Sequence, residues 1–274
     1  AYISIFEVIA KLAVAFILTY TQYDRLIVYA LLLAVVSIIT QFVYYIYCRK
    51  FEECRFRIVF DTSLLKNIVS FIGWAFLGNA SAVIKNQGVT VLLNMFFGPV
   101  VNAAQGVANQ ISGQLMAFSN NMLKAIGPII DKREGSGNRA GMLSIATSGS
   151  KFSFYILGCI AVPVMLHMRF VLDIWLDEVP EWAVCFATLQ LLRSITEQFT
   201  ITINCAITAQ GNISDISKIK SWLNILPLLL TWIAFYFNLP PYWMYISWIV
   251  CGGVIGGGVT LYYAKTICGL NVLN

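Results

Sequence analysis

The sequence predicts an all-α, polytopic membrane protein of about eight transmembrane helices, and three observations predict it. Apolar residues make up 59% of the 274 residues and charged residues only 11%, at a mean hydropathy of +0.76; soluble domains run near a quarter charged. Successive apolar stretches of about 17 to 30 residues are each long enough to cross a hydrocarbon core of about 30 Å as a helix. Lysine and arginine fall on alternate connections between those stretches. Secreted, cytosolic and nucleic-acid-binding classes are thereby excluded, and the net charge of +5 is a signal of topology.

The predicted helices are, in order, 3–20, 26–47, 73–97, 100–130, 152–172, 182–208, 222–238 and 242–263. Between the second and third lies a charged stretch in which Asp61-Thr62-Ser63 is placed to cap an amphipathic helix carrying Leu64, Leu65, Ile68 and Val69. The chain therefore divides into residues 1–48, a cytoplasmic linker at 49–72, and a six-helix set at 73–274. The first helix starts almost at Ala1, with no initiator Met or charged leader, and the chain stops soon after its last apolar stretch. We therefore expect it to be a piece of a longer protein.

Twelve cationic residues lie on one set of connections, among them Arg49, Lys50, Lys132, Arg133, Lys218, Lys220 and Lys265, against Arg25 and Arg169 on the other. The positive-inside rule makes the first set cytoplasmic, with both ends of the chain inside. Trp175, Trp182, Tyr242 and Trp243 suit the outer interfacial belt. Seven cysteines are scattered without a Cys-x-x-Cys, and His167 is the one histidine. Neither a disulfide framework, a metal site nor a cofactor is expected.

Polar groups inside the spans carry the functional reading, because a charge at a helix centre costs about 2.5–3.5 kcal/mol on insertion scales. Glu7 with Lys11 and Arg193 with Glu197 are i, i+4 pairs that can neutralise one another. At 100° per residue, Asn102, Gln105, Asn109, Ser112, Asn120 and Lys124 share one face of the fourth helix. Gln190, Arg193, Ser194, Glu197, Asn204 and Thr208 do so on the sixth, as do Asn79, Asn86, Gln87, Thr90 and Asn94 on the third. Such stripes either hydrogen-bond neighbouring helices or wall a hydrated cavity. In the second case the amides suit sugar hydroxyls and the cations suit phosphate. Lys85 points between helices or toward a phosphate, and Glu197 is either structural or a carboxylate that couples transport to a proton or Na⁺. Gly252, Gly253, Gly256, Gly257 and Gly258 set up close helix packing in the last helix. Pro128, Pro163 and Pro227 are candidate kinks.

Several stretches together resemble bacterial polysaccharide flippases of the Wzx type, within the multidrug/oligosaccharidyl-lipid/polysaccharide exporter superfamily, and most closely Bacteroides-group relatives. They are Ala1-Tyr2-Ile3-Ser4-Ile5-Phe6-Glu7, Cys48 to Phe56, Lys85-Asn86-Gln87-Gly88, the run from Phe97 to Gln110, Lys151-Phe152-Ser153-Phe154 and Asp173-Ile174-Trp175-Leu176. The resemblance implies a MATE-like, two-lobe alternating-access fold, of which this chain holds two helices of the first lobe and the second six-helix lobe. It also implies flipping of undecaprenyl-diphosphate-linked oligosaccharide across the bacterial inner membrane for surface polysaccharide such as O-antigen, driven by ion antiport, beside other polysaccharide-assembly membrane proteins. In such relatives the position of Gln105 is often Arg, which leaves Lys85, Lys124 and Arg193 as candidate phosphate contacts.

Three rival classes follow. A membrane enzyme of polysaccharide assembly, a polymerase or ligase, wants a large outer loop with catalytic Arg or His, and the longest outer connection is about ten residues; the expectation is a non-enzyme. A drug or cation antiporter of the same superfamily shares the fold and differs in cavity chemistry, which should be acidic and aromatic. A structural or receptor-like bundle would leave the polar stripes to helix packing alone.

Overall fold

The computed structural model describes residues 2–19, 25–50, 62–211 and 214–270. Among the described residues all regular structure is helical: α1 (Tyr2–Thr19), α2 (Arg25–Cys48), α3 (Thr62–Gly135), α4 (Arg139–Leu166), α5 (Met168–Trp175), α6 (Ala183–Gln198), α7 (Ile201–Ala209), α8 (Ser214–Tyr236), α9 (Trp243–Trp248), a π-helical segment (Ile249–Ile255) and α10 (Gly256–Cys268). The chain divides into two compact units, Ala1–Thr62 and Ser63–Asn274.

In the first unit α1 and α2 pack together, burying Val14 and Val36. The Thr40 hydroxyl donates back to the Val36 carbonyl at 2.8 Å, which hides a polar group in an apolar helix. Lys11 pairs with Glu7 at 2.6 Å, and both side chains remain well exposed. Most of α2, including Leu31, Ile38 and Phe42, presents apolar side chains outward. Of the linker, residues 51–61 and hence the cap at Asp61 lie outside the described residues.

The second unit opens with α3, whose 74 residues would reach about 110 Å if straight, over three times a bilayer core. It is instead broken at Gly98, where φ is 80° and ψ −178°, a conformation open to glycine almost alone. Pro99 follows and removes the N–H that would carry the helix through. The chain turns back there: the Thr90 hydroxyl donates to Gln105 Oε1 at 3.4 Å, one residue from each arm.

Two apolar clusters hold this unit. One gathers Leu93, Leu157, Leu172, Phe186, Leu191 and Tyr245; the other gathers Ile130, Met142, Ile203, Ile207 and Cys268. Where α6 gives way to α7, hydroxyl pairs join the helices instead: Ser112 to Ser194 at 2.8 Å and Ser150 to Thr202 at 2.6 Å. Gly149 allows the second of these approaches, since a Cβ there would lie 3.2 Å from Thr202, and Gly253 lets the π-helical segment approach α6, since a Cβ there would lie 2.8 Å from Thr196 Oγ1. Phe76, Met95, Leu166, Phe170 and Phe237 face outward.

Among the described residues, five helical stretches are long and apolar enough to cross a membrane: Ile27–Cys48, Ile68–Gly135, Arg139–Leu166, Ser214–Tyr236 and Trp243–Cys268. Three of the eight expected spans are not separate among these five: the first, at 3–20, corresponds to α1 and is not one of them, and the other two differ for physical causes. Two expected helices lie in α3 on either side of Gly98. The expected helix at 182–208 is interrupted after Gln198, so that neither α6 nor α7 is long enough by itself. Polar ends also extend the helices beyond their apolar stretches: α4 starts at Arg139 and α8 at Ser214. His167 separates α4 from α5.

Candidate functional site

A polar cavity of about 260 Å³ lies within the second unit, lined by Asn86, Gln87 and Thr90 from the first arm of α3, Gln105 and Asn109 from the second, Gln190 and Arg193 from α6, and Trp248 from α9. The i, i+3 and i, i+4 spacings explain the convergence, because Asn86 with Thr90, Gln105 with Asn109, and Gln190 with Arg193 are successive residues on single helix faces. The turn at Gly98 places the two arms of α3 side by side, and α6 supplies the facing wall.

Arg193 is the charged group of this cavity, and it is fixed twice. Its Nε donates to Glu197 Oε1 at 2.9 Å, with 13% of its side chain exposed. Its guanidinium lies over the Trp248 ring, 4.4 Å from the centroid, where cation–π attraction contributes about 2 kcal/mol when desolvated. Lys85 approaches the same ring at 5.8 Å and donates to Asn224 Oδ1 at 3.2 Å. The Asn224 amide donates in turn to Ser81 Oγ at 3.1 Å. Trp248 thus sits among Lys85, Arg193 and, through Arg193, Glu197. Gln190 Oε1 and Trp248 Nε1 are buried polar atoms without a partner among the described residues.

Of the residues the stripes singled out, Asn86, Gln87, Thr90, Gln105, Asn109, Gln190 and Arg193 share this cavity. Ser112 is spent on Ser194, the helix-bonding alternative. Asn204 accepts from Lys220, away from the lining. Asn120 and Lys124 lie on an exposed face of α3, and half-buried Asn102 is also outside the lining. The stripe from Asn102 to Lys124 runs about six turns along the helix, and only the turn from Gln105 to Asn109 borders the cavity.

Periodicity could not have found Trp248, an apolar aromatic in an apolar helix. Asn224 and Lys220 were within reach: they stand four apart at the start of α8, but an expected start at 222 leaves Lys220 in a connection. Irregular backbone gathers beside the cavity as well. Trp248 leads into the π-helical segment, a form that favours functional sites, and the break after Gln198 lies one residue beyond Glu197. A Cβ added at Gly253 or Gly257 of the glycine run would meet Thr196 or Thr200, whereas one at Gly252 or Gly258 would meet nothing within 4 Å.

A larger hollow of about 840 Å³ borders Arg169, Trp182, Leu189 and Tyr242. Its wall is mostly apolar and includes none of the stripe residues, so it is not where the polar chemistry collects. No protein-family model matches the chain, and no curated protein or solved structure matches it either.

Proposed function

We propose that the chain is part of a membrane transporter that moves lipid-linked oligosaccharide across the bacterial inner membrane, with undecaprenyl-diphosphate-linked repeat units as its cargo. On this reading the helices form eight passes with both ends cytoplasmic, and residues 73–274 are the second lobe of a MATE-like pair. The observation that carries the reading is the convergence of Asn86, Gln105, Asn109, Gln190 and Arg193 on one cavity, inside a bundle whose outward residues are largely apolar. Amide side chains both donate to and accept from hydroxyls, and they outnumber every other group in the lining. Drug and cation exporters are expected to have an acidic and aromatic lining; Trp248 supplies an aromatic face here, but the lining residues include no carboxylate, and Glu197 reaches the site only through Arg193.

Rocking of the lobes then exposes the cavity to one side at a time. The interruption between α6 and α7 supplies a joint beside Arg193. Glu197, 36% exposed, exchanges a proton or Na⁺ when a ligand competes for its guanidinium partner. The test is genetic: the gene is expressed in a host lacking its own polysaccharide flippase, and surface polysaccharide is measured. Wild type should restore it, and Asn109→Ala, Gln190→Ala and Arg193→Ala should each lower it at unchanged expression. Full rescue by all three variants, or none by wild type, overturns the reading.

A further inference from the structure

The proposed cargo is a class, and the cavity says more about which chemical group it grips. Arg193 uses only Nε on Glu197. Neither terminal guanidinium nitrogen has an acceptor among the described residues, and neither is among the sealed, unpartnered polar atoms. Two parallel N–H donors of that kind match a carboxylate or phosphate edge in the fork geometry that lysine cannot offer. Around them Asn86, Gln87 and Asn109 are exposed amides in the same lining, suited to hydroxyls on a neighbouring atom of the ligand.

Charge and size narrow the class. Lys85 and Arg193 both stand by Trp248, and Glu197 is the one carboxylate hydrogen-bonded to either among the described residues. These three groups around Trp248 therefore sum to one positive charge, with Lys85 near the ring and outside the lining itself, and an unpaired charge inside a membrane protein calls for a partner. A volume of about 260 Å³ falls below the roughly 300–1,000 Å³ of pockets that enclose drug-sized ligands. It admits one ring-sized unit, not an oligosaccharide.

We infer that this cavity is a subsite for a single sugar-sized, hydroxylated group bearing one oxyanion, gripped by the terminal nitrogens of Arg193 while Trp248 and Glu197 hold the guanidinium in place. Carboxylate and phosphate share this chemistry, and one uncompensated positive charge favours the singly charged carboxylate of an acidic sugar. The inference rests on the transporter reading only for how such a group reaches the cavity; the grip itself is a binding property.

The experiment is accordingly a binding measurement. The chain is purified into phosphatidylcholine nanodiscs, and glucuronate, glucose 1-phosphate and glucose are titrated by saturation-transfer NMR. Glucuronate should bind at least tenfold more tightly than glucose, Arg193→Gln should abolish that preference, and Arg193→Lys should retain it in part. Gln190→Glu, which sets a second anion beside the fork, should shrink or reverse the preference for glucuronate over glucose, whatever it does to glucose itself; it decides the matter should Arg193→Gln fail to give a folded protein, as judged by thermal melting. Tighter binding of glucose 1-phosphate than of glucuronate supports the oxyanion subsite and assigns it to a phosphate. Equal binding of glucose and glucuronate, no binding of any probe, or an Arg193→Gln variant that keeps the preference overturns the inference. A protein that shows the preference but restores no polysaccharide overturns the transporter reading alone. One that restores polysaccharide without the preference overturns the subsite alone.

Discussion

Trp248 does for Arg193 what no polar neighbour does: it supplies a flat face that fixes the guanidinium plane without consuming an N–H. Losing that face costs about 1–2 kcal/mol of positioning, so Trp248→Leu should lower polysaccharide rescue by about tenfold, while Trp248→Phe, which keeps a π face, should retain most of it. Asn120→Ala and Lys124→Ala should leave rescue at the wild-type level, because both side chains lie on the exposed face of α3. Ser112 and Ser194 bond to each other; a double-mutant cycle to alanine, read by denaturation in detergent, should return a coupling of about 0.6 kcal/mol, in line with other hydroxyl pairs inside membranes. These contrasts mark what was legible residue by residue. Helical spacing brings Asn109 and Gln190 to one face and cannot say which of Ser112, Asn120 or Lys124 has a neighbour to bond, since that depends on which helix lies opposite.

Gly98 and Gly253 govern the elements. Gly98→Ala forces a Cβ into φ 80°, ψ −178° and should cost about 1–3 kcal/mol, seen as lower yield and a lower melting temperature. Gly253→Val should cost a similar amount by overpacking, because even a Cβ there meets Thr196 Oγ1, whose hydroxyl donates to the Arg193 carbonyl at 2.7 Å. Gly252→Ala should be tolerated in the same melting assay, having open space around it. The glycine run announces close packing in the sequence, but not that the segment is π-helical or that only one register of it touches α6. The interruption after Gln198 left no mark of the usual kind: Phe199, Thr200 and Ile201 include neither Gly nor Pro. The turn at Gly98-Pro99 was legible, since this pair cannot continue a helix as other residues do.

Across the whole molecule, an outward surface of Phe, Leu, Ile and Trp side chains with lysine and arginine concentrated on alternate connections fixes a testable orientation. With the seven native cysteines replaced by alanine, Ser136→Cys in the turn between α3 and α4 should react with an impermeant maleimide only from the cytoplasmic side, and Asp177→Cys between α5 and α6 only from the outside. The reverse pattern, or labelling of both from one side, contradicts the orientation. Membrane class and helical content were legible from composition because the bilayer constrains them strongly. The cavity was only half legible: its amide side is periodic, and its aromatic side is written in the same apolar alphabet as the lipid surface.

The Gly98 turn also bears on how the protein is made. Because Asn86 and Asn109 come from adjacent arms, one cavity wall is complete as soon as that hairpin leaves the translocon. The opposite wall waits for Gln190 and Arg193, and Trp248 arrives later still during synthesis. On that order of synthesis the amides of the first wall emerge before Gln190, Arg193 and Trp248 exist to face them.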